Sequence, residues 1–484
     1  MKASYRFLFI LGLAVFLPSC EKDLNVIPRS VITAASMWQS EGDAIAALNG
    51  ALSQFRAALS DAYIQWGDYR TGHFGDATGS QASFQDLYLN SLDDLDVGTN
   101  WATIYKAIND CNLILKYVPD INFSNADTKN YTLATAYFLR AFSYYYIARV
   151  WGDAPIVLSG FESDTQDDLY PSRSPLADVL SQVKQDIETS IGLFPNDAPG
   201  TRKAGSRAAV LMLKADYNLW MAKTQNGGTD ALNAAKSAVD EVLNNGSYQL
   251  AEDFSSLFSS DDNNEIIFAL NFARDEYEGG FAADWLVAVQ YLNDKSLVEN
   301  PVKVGSHQQW VTFTDEFESF LFERSNDTRA AASMESYNEE GNQRFKWINK
   351  YPGEWSDGTR FFTSDIKIYR LAEAILFKAE IENALGNSAE AIVQLNKIAQ
   401  RAYKEDNYYA AGLSQSEVND IILDERLREF AAEGKAWWDL IRFGKVYDMV
   451  PALQGREGEQ NLLLWPVNAA SINSNPAIIQ TPGY

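Results

Sequence analysis

The chain has 484 residues, with 40 Lys and Arg against 65 Asp and Glu, two His and two Cys. A net charge of −25 argues against nucleic acid, whose phosphates are bound by neutralising Lys and Arg. Two His and two Cys are too few for a Cys/His zinc site or a disulfide framework. The share of apolar residues, 46%, beside 22% charged, is that of a globular chain. The aromatic share of 13% is high enough that core packing is not its only candidate use.

Residues 1–19 read as a secretory leader. Lys2 and Arg6 make its basic start, and Phe7 to Leu17 its apolar stretch, too short to span a bilayer core of roughly 30 Å. The stretch ends Leu17-Pro18-Ser19-Cys20, which resembles a bacterial lipobox, with Pro18 where a small residue is usual. Cleavage there leaves Cys20 to carry acyl chains, and two or more chains anchor a protein stably in a membrane. Loss of Lys2 and Arg6 makes the mature charge −27. Cys111 then has no partner for an intrachain disulfide, and its helical spacing from Ile104, Ile108 and Leu115 places it in a core. Residues 20–39 read as a tether.

From residue 40 the periodicity is mainly helical. Ile45, Leu48, Leu52, Phe55 and Leu59 form one stripe, with Ser40 as its N-cap. Ile104, Tyr105, Ile108, Cys111 and Leu115 form a second, and residues 128–150, dense in Ala and Tyr, a third. Ser174-Pro175 should cap and start a fourth helix ending near Pro195. Helices follow at about 205–224 and 229–245, split at Gly227-Gly228. Glu265 to Phe272 reads as a strand. From about 273 to 364 no long period survives. Helical periodicity returns at 366–386 and 388–404, and Ser414 with Glu417 makes a capping box for a helix to about Glu433. The tail, 459–484, is extended or turned. Successive helix pairs suggest a solenoid, although no repeat of about 34 residues stands out.

Motif searches for catalysis return nothing: there is no G-x-S-x-G, H-E-x-x-H or P-loop. Asp93, Asp94 and Asp96 beside Gly98 hint at a structural calcium loop but miss the ligand spacing. No catalytic residue, metal ligand or cofactor is assigned. Arg428 can reach Asp424 one helical turn back, while Glu429 needs a partner elsewhere. An Arg–carboxylate pair tying this helix to Asp439 or Arg442 is expected.

Several blocks in order resemble the SusD/RagB family of outer-membrane nutrient-binding lipoproteins. They are Trp101, Tyr105, Asn109 and Asn112; Leu139-Arg140-Ala141-Phe142; Arg149-Val150-Trp151-Gly152-Asp153-Ala154-Pro155; Tyr369-Arg370-Leu371-Ala372-Glu373-Ala374; Asp424-Glu425-Arg426-Leu427-Arg428-Glu429-Phe430; Trp437-Trp438-Asp439-Leu440; and Gln480-Thr481-Pro482-Gly483-Tyr484. The resemblance implies a mainly α fold over residues 40–484, in which a tetratricopeptide-like scaffold of four helix pairs carries an irregular, loop-rich half (the ligand-facing insert about 273–364) in one compact unit. It implies a surface lipoprotein held by Cys20 in outer-membrane lipid. Such a protein binds glycan without catalysis and passes it to a SusC-like TonB-dependent transporter. A peptide ligand is the alternative within the same architecture, and a surface glycoside hydrolase is a third reading.

Sugar rings present apolar C–H faces that suit aromatic side chains, and nearby polar groups read the hydroxyls. Aromatic residues on loops among polar neighbours are therefore the candidates. Two regions qualify. The first holds Asp68, Arg70, His73, Phe74, Tyr88 and Asn90; the second holds Trp285, Tyr291, Trp310 and Trp355. The acidic balance slightly favours neutral glycans over polyanions.

Overall fold

The computed structural model describes residues 37–197, 201–305, 307–339 and 343–484. The leader, Cys20 and residues 20–36 lie outside the described residues. The last tether residues are described, and Trp38 stacks on Tyr117 with ring centroids 5.1 Å apart.

The fold is mainly α. Helices α1 (Glu41–Leu59), α2 (Ala62–Asp68), α3 (Ala82–Tyr88), α4 (Ala102–Tyr117), α5 (Ala126–Trp151), α6 (Leu176–Leu193), α7 (Arg207–Thr224) and α8 (Gly228–Asn244) occupy the first half. The first strand, β1 (Phe74–Asp76), lies between α2 and α3. After a one-turn helix α9 (Ser256–Ser259) come β2 (Ile266–Leu270), β3 (Val287–Ala288), β4 (Val304–Gly305) and β5 (Val311–Phe313). Next are α10 (Asp315–Phe322), α11 (Arg329–Ser333) and the strands β6 (Met334–Glu339), β7 (Gln343–Ile348), β8 (Glu354–Ser356), β9 (Thr359–Phe361) and β10 (Ile366–Arg370). Helices α12 (Leu371–Ala384), α13 (Ser388–Tyr403), α14 (Gln415–Glu429), α15 (Ala436–Arg442), α16 (Val446–Met449) and α17 (Ala469–Ser474) complete the chain.

The scaffold is built of four helix pairs: α1 with α4, α5 with α6, α7 with α8, and α12 with α13. They touch in series, α4 on α5, α6 on α7 and α8 on α12. Helices inside such a stack bury every side. In α5 the run from Ala134 to Trp151 is buried apart from Tyr137, and small residues such as Ala134, Ala141 and Ala148 let neighbouring helices come close. This is why α5 shows no amphipathic stripe, whereas the outer helix α13 does.

Local signals set the helix ends. Ser40 and Asp43 form a reciprocal capping box, as do Ser414 and Glu417. Two expectations need correction. Helix α6 starts at Leu176, and Pro175 is its cap residue; the free N–H of Leu176 is satisfied by Asp153 Oδ1 at 2.7 Å, not by Ser174. Residues 366–370 do not open a helix. All five are buried in a strand that pairs antiparallel with β2, Ile366 opposite Leu270 and Arg370 opposite Ile266. The alternation Ile-Lys-Ile-Tyr-Arg fits either element over so short a run, and the waiting edge of β2 decides. Within 273–364 the described strands pair only two at a time, and the short helix α10 is capped by Thr314, whose side chain accepts from Phe317 N.

The two halves meet on a buried ionic network centred on α14. Glu429 Oε1 accepts from Arg370 Nη1 at 2.5 Å and also from Arg401, while its Oε2 accepts from Arg329 Nη1 at 3.1 Å. Arg370 grips Glu433 with Nε and Nη2, both at 2.9 Å, and reaches Glu265 at 2.8 Å. Glu425 takes Arg329 and Arg324, each at 2.8 Å, with the hydroxyls of Tyr403 and Tyr409. A second cluster joins α12, α14 and α15. Arg426 lies 2.9 Å from Asp439, and Arg442 holds Glu380 through two bonds of 2.8 and 2.9 Å. Arg428 does bond Asp424, at 3.3 Å. Trp437 and Trp438 are both buried, the first under Arg70 and the second under Arg149. Cys111 is buried in the core, as its spacing implied.

Burial alone would raise the pKa of Glu429; Arg401, Arg370 and Arg329 outweigh it and hold the carboxyl well below its ordinary range. Removing one partner of a buried pair strands the others, at a cost of about 3–5 kcal/mol. Glu429→Gln should therefore lower the stability read by urea unfolding by about that amount; a loss under about 1 kcal/mol would refute a central role. The carboxyls of Glu425, Glu429 and Glu433 are all lowered from an ordinary 4.5. Their contribution is complete above that value and is lost as pH falls through the depressed folded values. Below about pH 5 the urea midpoint should fall progressively as these carboxyls protonate, and less so in Glu429→Gln.

Candidate ligand-binding face

The two loop regions singled out from the sequence meet in space. Strand β1 pairs antiparallel with β5, Phe74 opposite Phe313 and Asp76 opposite Val311. The chain beyond each strand continues the pairing: Ala77 N donates to Trp310 O at 3.1 Å and Gly79 N to Gln309 O at 3.0 Å. A Cβ on Gly79 would stand 1.9 Å from Gln308 Nε2, so a side chain there would have to displace the end of Gln308. Trp310 N donates to Asp284 O at 3.0 Å. The buried Gln309 side chain donates to Trp285 O at 2.8 Å and Lys346 O at 2.9 Å. Loop 307–310 is thus held from both sides by backbone bonds.

Aromatic rings run from the core to the surface along this seam. Tyr69 is buried and accepts from Trp285 Nε1 at 3.0 Å. Its ring lies 5.5 Å from Phe84 and 6.0 Å from Tyr88. Phe84 lies 6.4 Å from Trp310, and Trp310 lies 5.2 Å from His307. Trp310, Tyr88 and His307 are half-buried and form the outer end. Polar groups flank them. Asp284 Oδ1 lies 3.8 Å from His307 Nε2, and Asp76 Oδ2 accepts from Gln85 Nε2 at 2.6 Å. The Tyr88 hydroxyl is buried with no hydrogen-bond partner among the described residues. Burial first, then the charges of Asp76 and Asp284, raise its pKa. Burial, and secondarily Asp61, push Asp284 up to about 7. The face therefore offers a flat indole, an imidazole and the carboxyls of Asp76 and Asp284, a set that stacks on a C–H face and hydrogen-bonds hydroxyls.

Five of the ten residues singled out for ligand contact are built into the interior, and that expectation is corrected for each. Asp68 accepts from Gly434 N at 2.7 Å and Ala436 N at 3.3 Å, at a crossing so tight that a Cβ on Gly67 would stand 1.9 Å from Gly434 O. Arg70 is fully buried, lies 4.5 Å from the Trp437 ring and 5.6 Å from Trp465, and donates to the carbonyls of Leu462, Leu463 and Leu464. Asn90 accepts from Arg70 Nε at 2.8 Å and returns a bond to Arg70 O at 3.1 Å. Phe74 lies between Tyr69 and Phe313 in the core, and Trp285 is 1% exposed. The physical reason is common to all five. Each belongs to the frame that fixes the loops, and a loop held rigidly needs large buried side chains beneath it.

His73 is half-buried and stacks on Phe317 with centroids 4.0 Å apart; burial pushes its imidazole down to about 3, so it packs as a neutral ring. Trp355 sits on the β8–β9 hairpin under Arg360, 5.3 Å away, and Tyr291 in the turn 289–291. Among the described residues no ring contact or hydrogen bond joins either to Trp310. The acidic turn uses its own carboxylates: Asp96 Oδ2 accepts from Asp93 N at 2.7 Å and Asp93 Oδ1 from Leu95 N at 2.8 Å. Asp284 and His307 carry no motif, and only their distance to Trp310 and Tyr88 reveals them.

Two family models match the chain. One, described as the SusD family, covers residues 307–484; the other, described as starch-binding and associating with the outer membrane, covers residues 36–214. The chain is 26% identical over 526 residues to SusD-like protein P38 of Formosa agariphila, covering 99% of each. It is 29% identical over 147 residues to the starch-binding protein SusD of Bacteroides thetaiotaomicron, covering 29% of this chain and 25% of that one. Among solved structures it superposes on NanU of B. fragilis with a TM-score of 0.80 at 27% identity, covering 94% of this chain and 99% of that chain. Both ends of the chain answer to models of one lineage and its helix-pair scaffold is shared with solved relatives; the chain belongs to the SusD/RagB family.

Proposed function

We propose that this chain captures saccharide at the outer-membrane surface without cleaving it and delivers it to a SusC-like TonB-dependent transporter. The observation that carries the reading is the meeting of Trp310, His307 and Tyr88 with Asp284 and Asp76 on one rigid face. Aromatic platforms bordered by hydrogen-bonding side chains are what a sugar ring requires. The starch-binding family whose model matches residues 36–214 and the starch-binding relative from B. thetaiotaomicron support the same ligand class.

The carboxylates on the face favour a neutral glycan over a uronate or sulfated one. A binding role without catalysis fits the distribution of the other acids: Glu425, Glu429 and Glu433 are buried and spent on Arg and Lys partners, where none can protonate a glycosidic oxygen. Acylated Cys20 would hold the chain in the outer leaflet, and residues 21–36 would supply the reach. Peptide capture is the competing reading within the same architecture, and the binding assay separates the two.

In native affinity gels cast with neutral polysaccharides, at least one should retard the chain. Trp310→Ala should weaken that binding by about 2 kcal/mol, or ~30-fold, with Trp355→Ala unchanged. Retardation by no glycan, together with peptide as the co-purified ligand, would overturn the saccharide reading. Oligosaccharide release during a time course would overturn the absence of catalysis. In the native host, Cys20→Ser should move the chain from the membrane pellet to the soluble fraction; a variant that stays in the pellet contradicts lipid anchoring.

A further inference from the structure

Gln309 and Trp310 are neighbours in the segment that runs into β5 and continues its pairing with the chain after β1. Side chains of a paired segment alternate between its two sides. Gln309 is 2% exposed, whereas Trp310 is half-buried at the face. The amide and the indole therefore stand on opposite sides of one short stretch of backbone.

The Gln309 amide uses both of its N–H groups. Nε2 donates to Trp285 O at 2.8 Å and to Lys346 O at 2.9 Å. The two carbonyls belong to different elements, the turn Gly280–Trp285 and strand β7. Lys346 also reaches the far end of β5, where its Nζ donates to Phe313 O at 3.0 Å. Residues 309–313 are thus tied to β7 at both ends. Trp310 has its own backbone bonds, its N–H to Asp284 O at 3.0 Å and its carbonyl from Ala77 N at 3.1 Å. These lie on either side of the segment and act as pivots. The side chain buried beneath is what stops the segment from turning on them. Among uncharged side chains of this length, only Gln offers two N–H groups on one atom.

We infer that Gln309 is a positioning residue for the ligand face: its buried amide sets the angle at which the Trp310 indole meets a ligand, and it touches no ligand itself. Stacking is sensitive to such an angle, because a gap of roughly 0.5–1 Å forfeits a quarter to a half of the dispersion attraction. The effect of Gln309 on affinity rests on the reading of the Trp310 face; its effect on the indole does not.

The test uses the full mature chain labelled with 5-fluorotryptophan. Its 12 tryptophans give separate fluorine signals, and that of Trp310 is identified by its loss in Trp310→Phe. In Gln309→Leu, which keeps the volume and removes the donors, the Trp310 signal should shift or broaden with no ligand present. The signal of Trp220, within α7, should not move. A polysaccharide that retards the parent chain should be bound roughly tenfold more weakly by Gln309→Leu, a coupling usual within one hydrogen-bond network. In the Trp310→Ala background the same change should weaken binding no further, because its effect passes through the ring. Gln309→Glu sets a carboxylate against two carbonyl oxygens when ionised and restores one donor when protonated. Its affinity relative to the parent chain should therefore rise as pH is lowered from about 8 to about 5. If circular dichroism shows that Gln309→Leu does not fold, Gln309→Asn, an amide one methylene short, takes its place. An unmoved Trp310 signal in a folded Gln309 variant, or a loss of binding that persists without the Trp310 ring, would overturn the inference. Failure of every glycan to retard the parent chain would count against the saccharide reading alone, and the fluorine signal would still decide what holds the indole.

Discussion

The carboxylate of Glu429 is the point on which the two halves of the molecule turn. It faces three guanidinium groups from three different elements: Arg370 on β10, Arg401 on α13 and Arg329 on α11. All four groups are at most 4% exposed at the side chain. An ion in such surroundings is tolerable only while paired and hydrogen-bonded. The scaffold helices and the irregular half must therefore meet in one register, because any other leaves a charge unmatched in a poorly polarisable interior. A purely apolar joint of the same area could slide; this one cannot slide without breaking several charge-assisted bonds at once.

That rigidity reaches the surface through the aromatic frame. Arg70, held by the carbonyls of residues 462–464 and faced by Trp437 and Trp465, ties the turn after α2 to the C-terminal tail. From there Tyr69 links to Trp285 by a hydrogen bond and to Phe84 and Tyr88 by ring contacts. The outer rings sit on inner rings, and the loop that carries Trp310 is bonded along both sides. A face set in this way would lose little conformational freedom on binding, which is how preorganised sites gain affinity.

Much of this is legible in the sequence. The helix stripes of α1, α4 and α6 announced themselves because an outer helix must show one apolar side. The capping residues Ser40 and Ser414 marked their helices because an unpaired N–H needs a nearby oxygen. The block around Glu425 to Glu429 read as structural, and Glu429 did need partners from elsewhere. Other features were hidden. Residues 366–370 form a strand only because β2 offers an edge, and α5, buried all round, carries no stripe to read. In the loops, the same aromatic and polar composition served both frame and face. Arg70, Asn90 and Trp285 have the right chemistry for ligand contact and are spent on the frame beneath the loops, while Asp284 and His307 carry no motif.

By itself the sequence determined the class of protein: a mainly α, acidic chain, rich in aromatic residues, with helix pairs in order. These properties follow from local periodicity and from short motifs, which act over a few residues. Only the tertiary structure decided which aromatic rings reach the surface. That outcome depends on the pairing of β1 with β5, which joins Phe74 to Phe313, and on the buried ion pairs behind it, such as Arg329 with Glu429, contacts between residues far apart in the chain whose geometry no local pattern encodes.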